Sequence, residues 1–110
     1  MKKMKKNYDL MKKYYLTAIN KGNSIAMCNL GIYYENIEKN YDLMKKYYLM
    51  AIDNENTNAM IMLANYYKTI NYDLMKKYYL MAINNGTTGE ENLDVMNNLT
   101  YYYEKSEMMK

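Results

Sequence analysis

Between Tyr41 and Ile52 the apolar positions fall at Tyr41, Met44, Tyr47, Tyr48, Ala51 and Ile52, while Asp42, Lys45, Lys46 and Asp53 fall between and after them. At about 100° per residue the first group shares one broad face of a helix and the charges share the other. A half-buried strand would alternate with a period of two, and this run does not. A second stripe follows at Ala59, Leu63, Tyr66 and Tyr67, with Met62 alongside. Neither stripe can be buried alone, so the two helices must pack on one another. Asn23 and Asn56 are placed to cap helix starts, because an asparagine oxygen accepts from otherwise unpaired backbone N–H groups. Gly22 and Gly86 suit helix ends, where the chain turns left-handed. Glu55 stands in glycine's place in the middle of the chain. The pattern predicts helices at 3–20, 24–37, 40–53, 57–69, 71–84 and 92–106, with short connections that make neighbours antiparallel.

The amphipathic run is one of three copies. The stretch Asn-Tyr-Asp-Leu-Met-Lys-Lys-Tyr-Tyr-Leu-x-Ala-Ile-Asx begins at Asn7, Asn40 and Asn71, spacings of 33 and 31 residues. Periods of this size belong to stacked supersecondary units that bury their apolar faces against neighbours along one axis. The expected fold is therefore all-α: an α-solenoid of antiparallel helix pairs, about six helices in a single repeat domain over 1–110. Its units are 7–39, 40–70 and 71–110. Ala82 and Val95 are 13 residues apart where Ala51 and Ala59 are eight apart, so Gly86-Thr-Thr-Gly-Glu-Glu forms a longer loop.

The units are also out of phase with the chain. If each pair is an A helix followed by a B helix, then 3–20 is a B helix without its A, and 92–106 an A helix without its B. Tyr8, Met11, Tyr14 and Tyr15 at one end, and Tyr101, Tyr102, Met108 and Met109 at the other, are expected to be partly uncovered. Solenoid ends are ordinarily polar. Homotypic head-to-tail assembly through these helices is one expectation, and a decayed fragment of a longer array is another. Leu16, Leu49 and Leu80 recur among the charged positions of the B helices. They form either a convex contact strip or the packing between adjacent B helices.

Charge and composition narrow the partners. The net charge of +3 resides in the first six residues, since without Lys2, Lys3, Lys5 and Lys6 the remaining 11 lysines face 12 acids. Lys13, Lys46 and Lys77 follow Asp9, Asp42 and Asp73 at i,i+4, which reads as a self-neutralised helix face. Nucleic acid is not an expected partner, because phosphate binding requires cations gathered on one surface. No apolar run is long enough to span a bilayer, and Met1–Lys6 leads into no signal-peptide core. Electrostatic attachment of that segment to a membrane is a minor alternative. The single Cys28 forms no internal disulfide and suits a reducing compartment, so a soluble cytoplasmic protein is expected. Tyrosine (16) and methionine (13) are abundant while proline, histidine, tryptophan and phenylalanine are absent. This matches the coding bias of an AT-rich genome.

Ala26-Met-Cys-Asn-Leu30-Gly31-Ile-Tyr-Tyr34-Glu-Asn, followed by Asn40-Tyr41-Asp and Tyr47-Tyr48-Leu-Met-Ala51-Ile, resembles the Sel-like branch of the tetratricopeptide-like repeats. That branch carries alanine, a Leu-Gly pair and an aromatic on helix A, then an aromatic pair and alanine on helix B. Leu63-Ala64 with Tyr67, and Leu99-Thr100 with Tyr103, repeat the helix A pattern. The loop within each repeat is shorter than the family's and lacks its Gly-x-Gly segment. Met11, Met44 and Met75 stand where the family has a small residue on helix B. The resemblance implies a partner protein or peptide on the concave side formed by the A helices. The candidate residues there are Ile25, Cys28, Ile32, Glu35, Asn58, Ile61, Asn65, Lys68, Asn97 and Tyr101, with Asp94 and Glu104 in the same register. A carboxylate clamp would need several cations, and Lys68 alone is available.

Catalytic chemistry is sparse. Histidine is absent, which removes the commonest general base and metal ligand. Cys28 has no neighbouring cation in sequence and reads as a small apolar or groove-facing thiol. Glu90, Glu91 and Asp94 suit the start of a helix, where carboxylates are favourable, and lack calcium-loop spacing. A non-catalytic scaffold or adaptor, with no cofactor and no metal, is the expected function.

Overall fold

The computed structural model describes residues 7–86 and 90–108. Six α-helices follow one another: α1 (Tyr8–Asn20), α2 (Ser24–Tyr33), α3 (Tyr41–Asp53), α4 (Thr57–Tyr67), α5 (Tyr72–Asn84) and α6 (Glu90–Met108). No strand occurs among the described residues. The closest packing is between α2 and α3 and between α4 and α5, and every helix also meets the next along the chain. This is a solenoid of helix pairs, 53 Å long and 33 × 26 Å across.

Five helices start on the same device. Asn7, Asn23, Asn40, Asn56 and Asn71 each accept a hydrogen bond from the N–H three residues on, at 2.9–3.1 Å. The three copies of the repeated stretch thus begin one residue outside their helices, and the cap explains why asparagine leads each of them. Helix ends use left-handed residues as expected at Gly22 (φ 81°) and Gly86 (φ 85°), with Glu55 (φ 61°) in the same conformation.

The unequal spacings have a structural cause. After α2 the chain winds into a π turn, Tyr34–Glu38, and leaves it through Lys39 in the left-handed conformation (φ 54°). The wider turn and the extra αL residue take up the two additional residues of the first spacing. In the second spacing α4 stops at Tyr67 and passes directly to the cap at Asn71.

The two helix types are buried differently. The B helices α3 and α5 bury one face, Met44, Tyr48, Ala51 and Ile52 in one and Met75, Tyr78, Tyr79 and Ala82 in the other. The A helices α2 and α4 are each enclosed by a B helix on either side. In α2, Ala26, Met27, Cys28, Leu30, Gly31 and Tyr33 are all buried, and in α4 Met60 and Ala64 join the expected Ala59 and Leu63. A helix between two neighbours needs apolar residues over most of its circumference, so a single-stripe reading misses half of its core.

The tyrosines form a repeated ladder. Tyr8 of α1 meets Tyr33 of α2, Tyr33 meets Tyr34, and Tyr34 stacks on Tyr47 of α3. One repeat further, Tyr41 stacks on Tyr66, Tyr66 meets Tyr67, and Tyr67 stacks on Tyr78. The four pairs that join consecutive helices have centroids 5.4–6.1 Å apart, a favourable aromatic separation.

The expected Asp–Lys pairs do not close. Among the described residues the ion pair is Lys12 with Glu38, at 3.0 Å. Lys45 instead lies over the Tyr66 ring, Lys46 over Tyr47 and Lys77 over Tyr78, at 5.3–5.6 Å. An exposed i,i+4 pair contributes only a few tenths of a kcal/mol, whereas a lysine laid on tyrosine gains a comparable attraction and covers its aliphatic stem.

Candidate functional site

The A helices α2, α4 and α6 lie side by side along one face, and a groove of about 300 Å³ runs across them. Its first row comes from Ile25 of α2, Asn58 of α4 and Asp94 of α6. Its apolar floor is Cys28, Ile32, Ile61 and Met62, closed by Val95. Amide side chains stand around this floor at Asn29, Asn56, Asn65 and Asn98. Of the ten expected residues the groove thus gathers six: Ile25, Cys28, Ile32, Asn58, Ile61 and Asn65.

The other four lie elsewhere. Lys68, Asn97 and Tyr101 line an adjoining recess with Thr69, Tyr72 and Lys105. Glu35 falls within the π turn and accepts a hydrogen bond from the Tyr48 hydroxyl at 2.7 Å. Unwinding the helix there directs the carboxylate to α3. Asn29, Met62 and Asn98 were missed, although 25, 29 and 32 follow the i, i+4, i+7 rule that defines one helix face.

Tyr79 organises the far wall. Its hydroxyl donates to Asn65 Oδ1, and Asn98 Nδ2 donates back to it at 3.0 Å. Two amides from different A helices are thereby held by one phenol of α5. Ile32 occupies in α2 the position of Asn65 in α4, so the equivalent Tyr48 finds its acceptor one turn further on, at Glu35. Burial first, then the bond to Glu35, holds the Tyr48 phenol well above the usual tyrosine range. Burial likewise raises Tyr79.

Cys28 is 4% exposed. Burial pushes its thiol from 9.0 up to about 11, so the thiolate is scarce at neutral pH. A shift of two pH units corresponds to about 100-fold less thiolate. Native protein at pH 7.5 is therefore expected to react with a disulfide reagent at least about 100-fold more slowly than the urea-unfolded chain. The native rate should keep rising as pH passes 9. A native rate equal to the unfolded one would show an open, accessible thiol.

No group of three or more metal-ligating side chains occurs among the described residues. No described helix is long and apolar enough to cross a membrane. Residues 87–89 of the expected long loop, Met109, and the side chains of Glu90 and Glu91 lie outside the described residues. On the B helices Leu16, Leu49 and Leu80 remain exposed, so packing between B helices does not bury them.

The helix pairs and the groove across their A helices define a helical-repeat arrangement. Comparison with protein-family models, curated proteins and solved structures finds no match.

Proposed function

We propose that this chain is a non-catalytic scaffold of the Sel-like kind that docks a short apolar peptide or the edge of a partner helix on its concave face. The observation that carries this reading is the composition of the groove: the aliphatic side chains of Ile25, Ile32 and Ile61 beside the amides of Asn29, Asn65 and Asn98. Ile25 is exposed, and Ile32 and Ile61, half-buried against the core, keep part of their apolar surface open to a partner. A primary amide both donates and accepts, and so can serve a peptide backbone. Tyr79 pre-orders Asn65 and Asn98, which lowers the entropy lost on binding.

Screening a displayed random-peptide library on the wild-type chain is expected to enrich sequences with spaced aliphatic residues. Ile61→Glu and Ile32→Glu should each weaken the selected peptide by at least about 10-fold, the scale of a central interface residue, while circular dichroism stays unchanged. Loss of helicity would instead make both isoleucines core residues. Absence of any enriched peptide would remove the groove as a docking site.

A further inference from the structure

The strongest unexplained feature is that a joint made twice inside the molecule has both its halves exposed at opposite ends. In the internal joints Met27 and Gly31 of α2, with Tyr34 at the start of the π turn, face α3, and Met60, Ala64 and Tyr67 of α4 face α5. The first two of each set are buried, and Tyr34 and Tyr67 stack on Tyr47 and Tyr78. The ring contacts give the register of α6: Tyr102 meets Tyr72 as Tyr33 meets Tyr8 and Tyr66 meets Tyr41. The residues equivalent to the buried set are then Met96, Thr100 and Tyr103. All three are exposed, Met96 at 48% and Tyr103 at 45%.

The mating half is on α1. It carries the same stretch as α3 and α5, yet none of its residues is buried. Tyr14 holds the position of Tyr47 and Tyr78 and is 64% exposed. Among the described residues no ring lies against it. Beside it, Met11 and Tyr15, equivalent to the buried Met44 and Tyr48, border an open recess.

We infer that α1 of one copy packs on α6 of another, in the manner of the α4–α5 joint, where Ala64 already places a Cβ at the position of Thr100. Two complementarities commit the occupant to a second copy. Tyr14 supplies the ring that Tyr103 lacks. Met11 and Ala18 meet Met96 and Thr100 as Met75 and Ala82 meet Met60 and Ala64 of α4. Lys76 lies over the Tyr103 ring, one ring further than Lys12 and Lys45 reach on Tyr33 and Tyr66, and moves aside when Tyr14 stacks there. The joint uses different surfaces on its two sides, so it is heterologous and closes into a ring or continues as a filament. Each added copy also extends the line of A helices.

Sedimentation of the 110-residue chain over a 100-fold concentration range is expected to show mass rising with concentration. Tyr14→Glu and Met96→Glu each introduce a carboxylate at one half of the joint while touching no buried residue. Each variant alone should remain monomeric with wild-type helicity, a loss of at least tenfold in association. An equimolar mixture of the two retains one intact pair of halves and should form a 1:1 dimer that grows no further. A wild type that stays monomeric throughout, or variants that assemble as the wild type does, would overturn the inference. So would a mixture that stays monomeric.

Discussion

Tyr48→Ala is expected to cost about 3–5 kcal/mol, the range for removing a fully buried aromatic side chain. Tyr48 is 0% exposed, its ring lies on the backbone of α2 at Gly31, and its hydroxyl reaches Glu35. Truncation opens a cavity between α2 and α3 and leaves that carboxylate without its donor. Since a domain of this size has about 5–15 kcal/mol in total, the variant should stand close to unfolding at room temperature. Tyr15→Ala provides the internal control. It removes the same side chain from the same sequence stretch, but on α1, where Tyr15 is only half-buried. Its cost should be under half as large. Urea denaturation followed by circular dichroism measures both; equal costs would mean that α1 is held as firmly as α3.

Gly31→Ala is expected to destabilise the chain by about 1–3 kcal/mol, against the usual preference of helices for alanine. An added Cβ would lie 2.5 and 2.6 Å from Cδ1 and Cε1 of Tyr48, well inside contact distance. The ring cannot retreat, because it is enclosed on every side and anchored at its hydroxyl. In a Tyr48→Ala background the same change should be neutral or stabilising, since the obstructing ring atoms are gone and alanine's helix propensity, worth about 1 kcal/mol over glycine, remains. A double-mutant cycle reads the difference directly. If glycine to alanine costs the same in both backgrounds, the close approach of ring and backbone is not what glycine serves. Ala64 stands at the equivalent place in α4, fully buried, so the second helix pair already accommodates the methyl group that the first does not.

Much of this was present in the chain as written. Three copies of one stretch require a repeat architecture, the apolar spacing requires helices, and asparagine before five of the six starts provides a cap; all three are local consequences of backbone geometry and side-chain chemistry. The row Ile25, Ile32, Asn58, Ile61 and Asn65 was readable for the same reason, because residues at helical spacing share a face. What exceeded the sequence arose where separate elements meet. The π turn after α2 follows from fitting two extra residues between packed helices, and it carried Glu35 out of the groove to Tyr48. Asn98 joined the groove because Tyr79 binds it together with Asn65 from a different helix. The stretch repeated in α1, α3 and α5 likewise encodes one amphipathic helix three times. Whether its apolar face is core or open surface depends on how many neighbours stand against it. Periodicity within a helix says nothing of that number, and only the stacking of the pairs in space decides it.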